Sequence, residues 1–264
     1  MPWRIGSTTI TRVADPGFEL VLPQDDPTTA LLRRTPWLHP WSVTDDFELR
    51  VGSSALLVRT PETTALVDPW LAFDDPARDA GRIDALADAG CPADAVDVVV
   101  YSHIDGIGTV LRPDGTKVFP NARYLVPAGE LDAARDGRRP GAAALVAHAD
   151  AGGVEPLSGR TVIDPELVVE PLPGHTAAHV GVVAGDPPGA VIVGHLFLHP
   201  AQIANPDSVL GDEQPDVLRD TRDDVLARCC DDGLVLVAPL FAEPGGDHVC
   251  RDGDGYRLDQ SAGA

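Results

Sequence analysis

The stretch Val96-Asp97-Val98-Val99-Val100-Tyr101-Ser102-His103-Ile104-Asp105-Gly106-Ile107-Gly108 decides how this chain is read. Its first half carries valines at successive positions rather than alternate ones, the pattern of a strand covered on both faces. Its second half turns to Ser, His, Asp and Gly, side chains suited to metal ligation or acid-base work, placed where the strand ends. The same order recurs in Pro173-Gly174-His175-Thr176-Ala177-Ala178-His179 and in Gly194-His195-Leu196-Phe197-Leu198-His199-Pro200, each after an apolar strand. Three such segments at one sheet edge would gather their histidines into a single cleft.

Working outward, short β-branched runs predict strands at Ala55–Thr60, Thr64–Asp68, Val96–Ser102, Ala122–Pro127, Val168–Pro173, His179–Ala184, Ala190–Gly194 and Leu234–Phe241. Helical spacing falls between them: Ile83, Leu86 and Ala87 before Gly90-Cys91-Pro92, and Leu218, Val225, Leu226 and Cys229 before Gly233, with Thr221 and Asp224 as a capping box. Strands and helices interleave, so the class is α/β, with helices outside packed sheets. No linker divides the chain, which predicts one domain over 1–264 with a disordered tail at 260–264. The acidic, Pro-rich stretch Asn205–Asp220 reads as a surface excursion.

The chain has 264 residues, 44% of them hydrophobic, enough to bury a substantial core. Its formal net charge of −21 repels phosphate backbones and anionic lipid, which argues against nucleic-acid and membrane partners and leaves a small molecule as the expected ligand. No apolar run reaches the length of a spanning helix, and Met1-Pro2-Trp3-Arg4-Ile5-Gly6 lacks the apolar core of a signal peptide, so a cytoplasmic location is expected. Cys91, Cys229, Cys230 and Cys250 include no CxxC pair and are read as reduced. Composition is silent on oligomeric state.

The three histidine segments, together with Leu66-Val67-Asp68, Val118-Phe119-Pro120-Asn121-Ala122-Arg123-Tyr124 and Val249-Cys250-Arg251-Asp252-Gly253-Asp254-Gly255-Tyr256, make the chain resemble the metallo-β-lactamase superfamily, and within it the lactonase- and alkylsulfatase-like hydrolases. The resemblance implies a four-layered αββα sandwich with a two-metal site at one edge of the facing sheets. It also implies that the site is altered. The family's His-x-His-x-Asp-His motif is here Ser102-His103-Ile104-Asp105-Gly106, two residues shorter; the bridging aspartate of its Gly-Asp motif is His195; and its last histidine falls at Leu240. A neutral imidazole offers one lone pair where a carboxylate offers two oxygens, so the family's dinuclear centre is not expected.

Two readings of the remnant stay open. In one, His103, His175 and His195 hold a single ion, zinc by donor type, with Asp105 orienting or deprotonating a water. In the other no metal binds, and the same His and Asp side chains perform acid-base chemistry such as cyclisation, elimination or isomerisation. Both make the protein an enzyme acting on a small ester, lactone or related carbonyl compound, with His103, Asp105, His175 and His195 catalytic. The alternative is a pseudoenzyme that keeps the sandwich for binding or scaffolding, its cleft filled by Leu240 and Phe241. A conventional dinuclear centre would need His199 or Asp247 to supply ligands. His179 is read as structural, Asp68 as a support for the site, and His39, His148, His199 and His248 as packing or solvent residues. Trp37, Trp41 and Phe47 are core first and pocket second, and Tyr101 either approaches the site or packs beneath it.

Overall fold

The computed structural model describes residues 2–18, 20–69, 76–104 and 116–259. In the first half of the chain the strands are β1 (Trp3–Ile5), β2 (Thr8–Ala14), β3 (Leu20–Leu22), β4 (Leu49–Val51), β5 (Ser54–Arg59), β6 (Thr64–Val67), β7 (Val98–Val100), β8 (Arg123–Pro127) and β9 (Glu155–Leu157). The helices among them are α1 (Asp26–Arg33), α2 (Pro76–Asp88), α3 (Ala128–Arg135) and α4 (Ala143–Asp150). The second half adds β10 (Thr161–Asp164), β11 (Leu167–Pro171), β12 (Val180–Ala184), β13 (Ala190–Ile192), β14 (Val235–Val237), β15 (Gly246–Asp252) and β16 (Gly255–Leu258), with α5 (Ala201–Ala204) and α6 (Pro215–Asp232). One sheet has the order β1-β2-β5-β6-β7-β8-β9, the other runs from β10 to β16 in sequence, and β3 with β4 forms a separate ribbon.

Alternation along the central strands explains the layering. In β5, Leu56 and Val58 face the other sheet while Ala55 and Leu57 face the helices; in β7, Val98 and Val100 point inward and Val99 outward. In β13, Ala190 and Ile192 point inward and Val191 outward; in β14, Val235 and Val237 do so against Leu236. Because every position is apolar, each sheet must be covered twice, and each fully buried Val or Leu stabilises the fold by about 1.5–3 kcal/mol. Helices α2, α3 and α4 supply Leu86, Leu131 and Leu145 to the outer face of the first sheet, and α6 supplies Leu218, Val225 and Leu226 to that of the second. The result is the expected αββα order of layers.

The wiring of the two sheets matches where it matters for the site. Strands β5 and β6 pair antiparallel, α2 carries the chain back, and β7 pairs parallel with β6. Strands β12 and β13 pair antiparallel, α6 makes the return, and β14 pairs parallel with β13. A parallel pair needs such a crossover, and it leaves the carboxyl ends of the strands free to carry loops at one edge. Asp68 follows β6, Ser102 and His103 follow β7, His195 follows β13, and the His175 loop leads into β12. The two edges are joined directly, since the Val180 amide donates to the Ser102 carbonyl at 2.9 Å.

Helix α6 ends as expected, on Gly233 in the left-handed conformation (φ 76°). It begins differently: Pro215 opens the first turn, and Thr221 lies mid-helix with its hydroxyl donating to the Val217 carbonyl at 2.9 Å rather than capping anything. The stretch 205–220 is therefore part strap and part helix; it lies largely at the surface, as expected, and its Gly211 and Glu213 also line the cleft. Trp37 and Trp41 pack against the outer core of the second sheet and Phe47 against a small satellite core around Leu32, Leu38 and Val43, so these aromatics are structural.

The His175 loop meets α6 through a glycine. Gly174 adopts φ +134°, and a β-carbon there would lie 2.3 Å from the Leu218 Cα. Backbone opposes backbone, so no side-chain rotation relieves the clash. Gly174→Ala is expected to destabilise the protein by about 2–4 kcal/mol, measured by chemical denaturation; an unchanged midpoint would refute the close approach.

Candidate active site

His103, His175 and His195 converge. One ring nitrogen of each lies within 4.8 Å of the other two, and all three residues are buried. His103 Nε2 is 3.0 Å from His195 Nδ1, and the His103 and His175 rings meet edge to face with centroids 4.9 Å apart. Asp105, the fourth expected catalytic residue, lies outside the described residues.

Partners behind the histidines orient them. His175 Nδ1 donates to Asp212 Oδ1 at 2.8 Å, which leaves the His175 Nε2 lone pair for the cluster. Burial works against the Asp212 carboxylate, but the hydrogen bonds from His175 and from the Leu210 amide prevail and hold its pKa below the usual range. His103 Nδ1 pairs with the Ser102 hydroxyl at 2.8 Å, and the Ser102 amide donates to Asp68 Oδ1 at 2.7 Å. Burial pushes the Asp68 carboxyl up to about 6 against the hydrogen bonds from Ser102 that lower it. The Ser102 hydroxyl shares a hydrogen bond with His103 Nδ1, and His103 Nε2 faces His195. Burial, reinforced by the neighbouring rings, holds the His103 pKa well below its ordinary value, so this imidazole is neutral at physiological pH.

His179 is committed elsewhere. Its Nδ1 donates to the Leu172 carbonyl at 2.9 Å, and its Nε2 accepts from the His195 amide at 3.1 Å. It therefore braces the turn that bears His195. That turn begins at Gly194, φ +53°, where a β-carbon would stand 2.6 Å from both His179 Nε2 and Ser102 Oγ. His199 is likewise structural, its Nε2 on the Ser42 carbonyl at 2.8 Å and its Nδ1 accepting from the Ala201 amide at 3.0 Å. Asp247 sits in β15 and accepts from the His248 amide. Among the described residues, neither His199 nor Asp247 joins the cluster. His39 packs on Phe47 and His148 on Tyr124, while His248 is exposed. Tyr101 packs beneath, in the outer core of the first sheet.

A cleft of about 370 Å³ opens over His175, walled by Ile104, Arg138, Arg139, Pro140, Thr176, Gly211 and Glu213. Leu240 and Phe241 are not in its wall; Phe241 is buried in the outer core of the second sheet. Arg139 ties the wall together. Its Nε and NH2 hold the two oxygens of the buried Glu130 at 2.7 and 3.1 Å, and its NH1 holds Glu213 Oε1 at 2.7 Å. Glu130 in turn accepts from the Ile104 amide, next to His103, and Glu213 from the Ala177 amide, two residues past His175. Asp212, Glu213, Glu130 and Arg139 carry no signal in the sequence, because each is one acid or arginine among many and its partner lies far away along the chain.

The donor set suits a metal. Three ring nitrogens converge, with Asp212 on the far nitrogen of His175 and the Ser102 hydroxyl on that of His103, the arrangement in which imidazole ligands are normally held. A tetrahedral ion with bonds of about 2.0–2.1 Å to nitrogen keeps its donors about 3.4 Å apart, close to the His103–His195 spacing. Among the described residues, three imidazoles without a carboxylate provide one such position.

No protein-family model matches the chain, and no curated protein matches it. Solved structures do. A dizinc quorum-quenching lactonase in complex with a product superposes with a TM-score of 0.81 at 16% identity, over 98% of this chain and 96% of that one. A hydrolase of the beta-lactamase superfamily gives 0.75 at 18% identity, over 97% and 95%. A probable metal-dependent hydrolase from Staphylococcus aureus gives 0.70 at 15% identity, over 98% and 99%. At such identities the likeness speaks for architecture, and it spans the whole length of both chains. The chain thus has the metallo-β-lactamase fold that its histidine-bearing segments implied.

Proposed function

We propose that this protein is a hydrolase of small esters, lactones or related carbonyl compounds, working in the cleft over His175 with a single metal ion held by His103, His175 and His195. The observation that carries this reading is the convergence of the three imidazoles with their outer partners in place. Loss of ligands without function gives no reason for the remaining histidines to meet, nor for Asp212 to reach His175 from a separate strap. The lactonase and hydrolase neighbours support the substrate class.

Zinc, when bound to three imidazoles, supplies Lewis acidity and an acidified water. The chain's own residues do the rest. Asp212 fixes the tautomer of His175, so that its Nε2 lone pair points inward, and the Ser102 hydroxyl orients the His103 ring. Arg139, committed to Glu130 and Glu213, holds the cleft wall in shape. Asp105, two residues beyond His103, is assigned as the proton acceptor. A metal-free variant of the same reading has one observation in its favour, the 3.0 Å contact between His103 Nε2 and His195 Nδ1, which is also a hydrogen bond between neutral imidazoles.

Metal analysis separates these. Protein purified with added zinc is expected to retain about one equivalent, and His175→Ala or His195→Ala is expected to lose it; a folded parent without bound metal would sink the metallohydrolase reading. In ester and lactone hydrolysis assays, Asp105→Asn is expected to lower kcat about 100-fold or more while leaving the metal content unchanged. The buried Asp68 makes a further expectation. A carboxyl whose folded pKa of about 6 exceeds its unfolded value stabilises the protein below the unfolded pKa and loses that contribution as pH rises through 6. Asp68→Asn removes this dependence, so its Tm advantage over the parent should grow from pH 4 to pH 7 in calorimetric scans; a constant difference would contradict the burial of this charge.

A further inference from the structure

Arg222 lies in α6, outside the cleft, and is among the largest fully buried side chains of the molecule. Its hydrogen bonds go to three main-chain carbonyls. Nε donates to Leu196 at 2.8 Å, and NH1 donates to Pro206 at 2.9 Å and to Ser208 at 2.6 Å. The Phe197 ring lies 5.4 Å from the guanidinium carbon. Burial pushes the Arg222 pKa down to about 10, with the nearby Asp212 carboxylate opposing that shift, so the group remains a cation at neutral pH.

The three carbonyls belong to two segments that matter. Leu196 follows His195 directly. Pro206 and Ser208 begin the strap that ends in Asp212 and Glu213, of which Asp212 holds His175 and Glu213 holds the Ala177 amide. The strap is further pinned by main-chain bonds from Glu213 to His175 and from Gln214 to Gly174, each 3.0 Å. Through one planar group the turn bearing His195 and the strap orienting His175 are therefore held in a fixed relation. A buried cation with carbonyl dipoles as its hydrogen-bond partners is expensive to desolvate, and the geometry it imposes is what distinguishes it from a packed Leu or Met.

We propose that Arg222 is a positioning residue for the three-histidine cluster, setting the spacing between His195 and His175 by clamping the 194–197 turn to the 205–214 strap. Its consequence for catalysis rests on the function proposed above; its effect on the histidines does not.

The test uses the full chain, cobalt(II) as the probe, and histidine nitrogen NMR of the metal-free protein. Arg222→Lys keeps the charge but cannot span three carbonyls, and Arg222→Met removes both. Each is expected to weaken cobalt(II) binding about 10–100-fold, to alter the cobalt absorption bands, and to shift the His175 and His195 ring resonances without metal. Asp212→Asn should do the same, and the Arg222→Lys, Asp212→Asn double variant should lose less than the product of the two single losses, because Arg222 reaches His175 through the strap that carries Asp212. Leu226→Ala, in the same helix and fully buried, controls for lost stability: Tm should fall with cobalt affinity unchanged. Should the Met variant fail to fold, the Lys and Asn variants decide the matter. Cobalt affinity and ring resonances unaltered in folded Arg222→Lys, or multiplicative losses in the double variant, would overturn the proposal. If the parent itself binds no cobalt, the metal reading of the cleft fails alone, and the metal-free histidine spectra still judge Arg222.

Discussion

Central strands that are apolar on both faces leave the chain few ways to fold. A sheet with one wet face can stand as half of a sandwich, but β5, β7, β13 and β14 have no wet face, so helices must cover what the opposing sheet does not. Crossover helices are the economical cover, because the helix that makes a parallel neighbour possible is also the one that shields its outer side. The same constraint that fixes the layers also sends the carboxyl ends of β6, β7 and β13 to one edge, and the chemistry of the molecule is collected there.

At that edge the histidines are held by a frame rather than by their own loops. Glu130 and Arg139 tie the His103 loop to the strap, Asp212 and Glu213 tie the strap to the His175 loop, and Arg222 ties the strap to the turn of His195. The Glu130–Arg139 and Asp212–His175 links are largely buried, whereas those of Glu213 lie at the surface. Links of this kind are costly if incomplete and rigid if satisfied. The cleft is therefore shaped by a few polar contacts that join segments far apart in the chain.

The layers were legible in the sequence because burial writes itself locally: a run such as Val98-Val99-Val100 reports two covered faces without reference to any partner. His103, His175 and His195 were legible because each follows a strand end, where the topology concentrates side chains. The frame was not. Asp212 stands in an acidic stretch where nothing distinguishes it from Asp207 or Asp216, and its meaning comes from a neighbour 37 residues away. Thr221 misled for the opposite reason, since the spacing of a capping box is equally available inside a helix, where the hydroxyl bonds back to the preceding turn. Asp105 lies outside the residues the structure describes.

Gly194 bears on how such a protein changes over generations. Because the space a β-carbon would need there is already taken by Ser102 from one sheet and His179 from the other, no larger residue can enter until both neighbours have retreated. A lineage that altered Ser102 or His179 first would lose the support of His103 or of the His195 turn before gaining anything at position 194. The three positions are thus coupled, so that each can change only in step with the others.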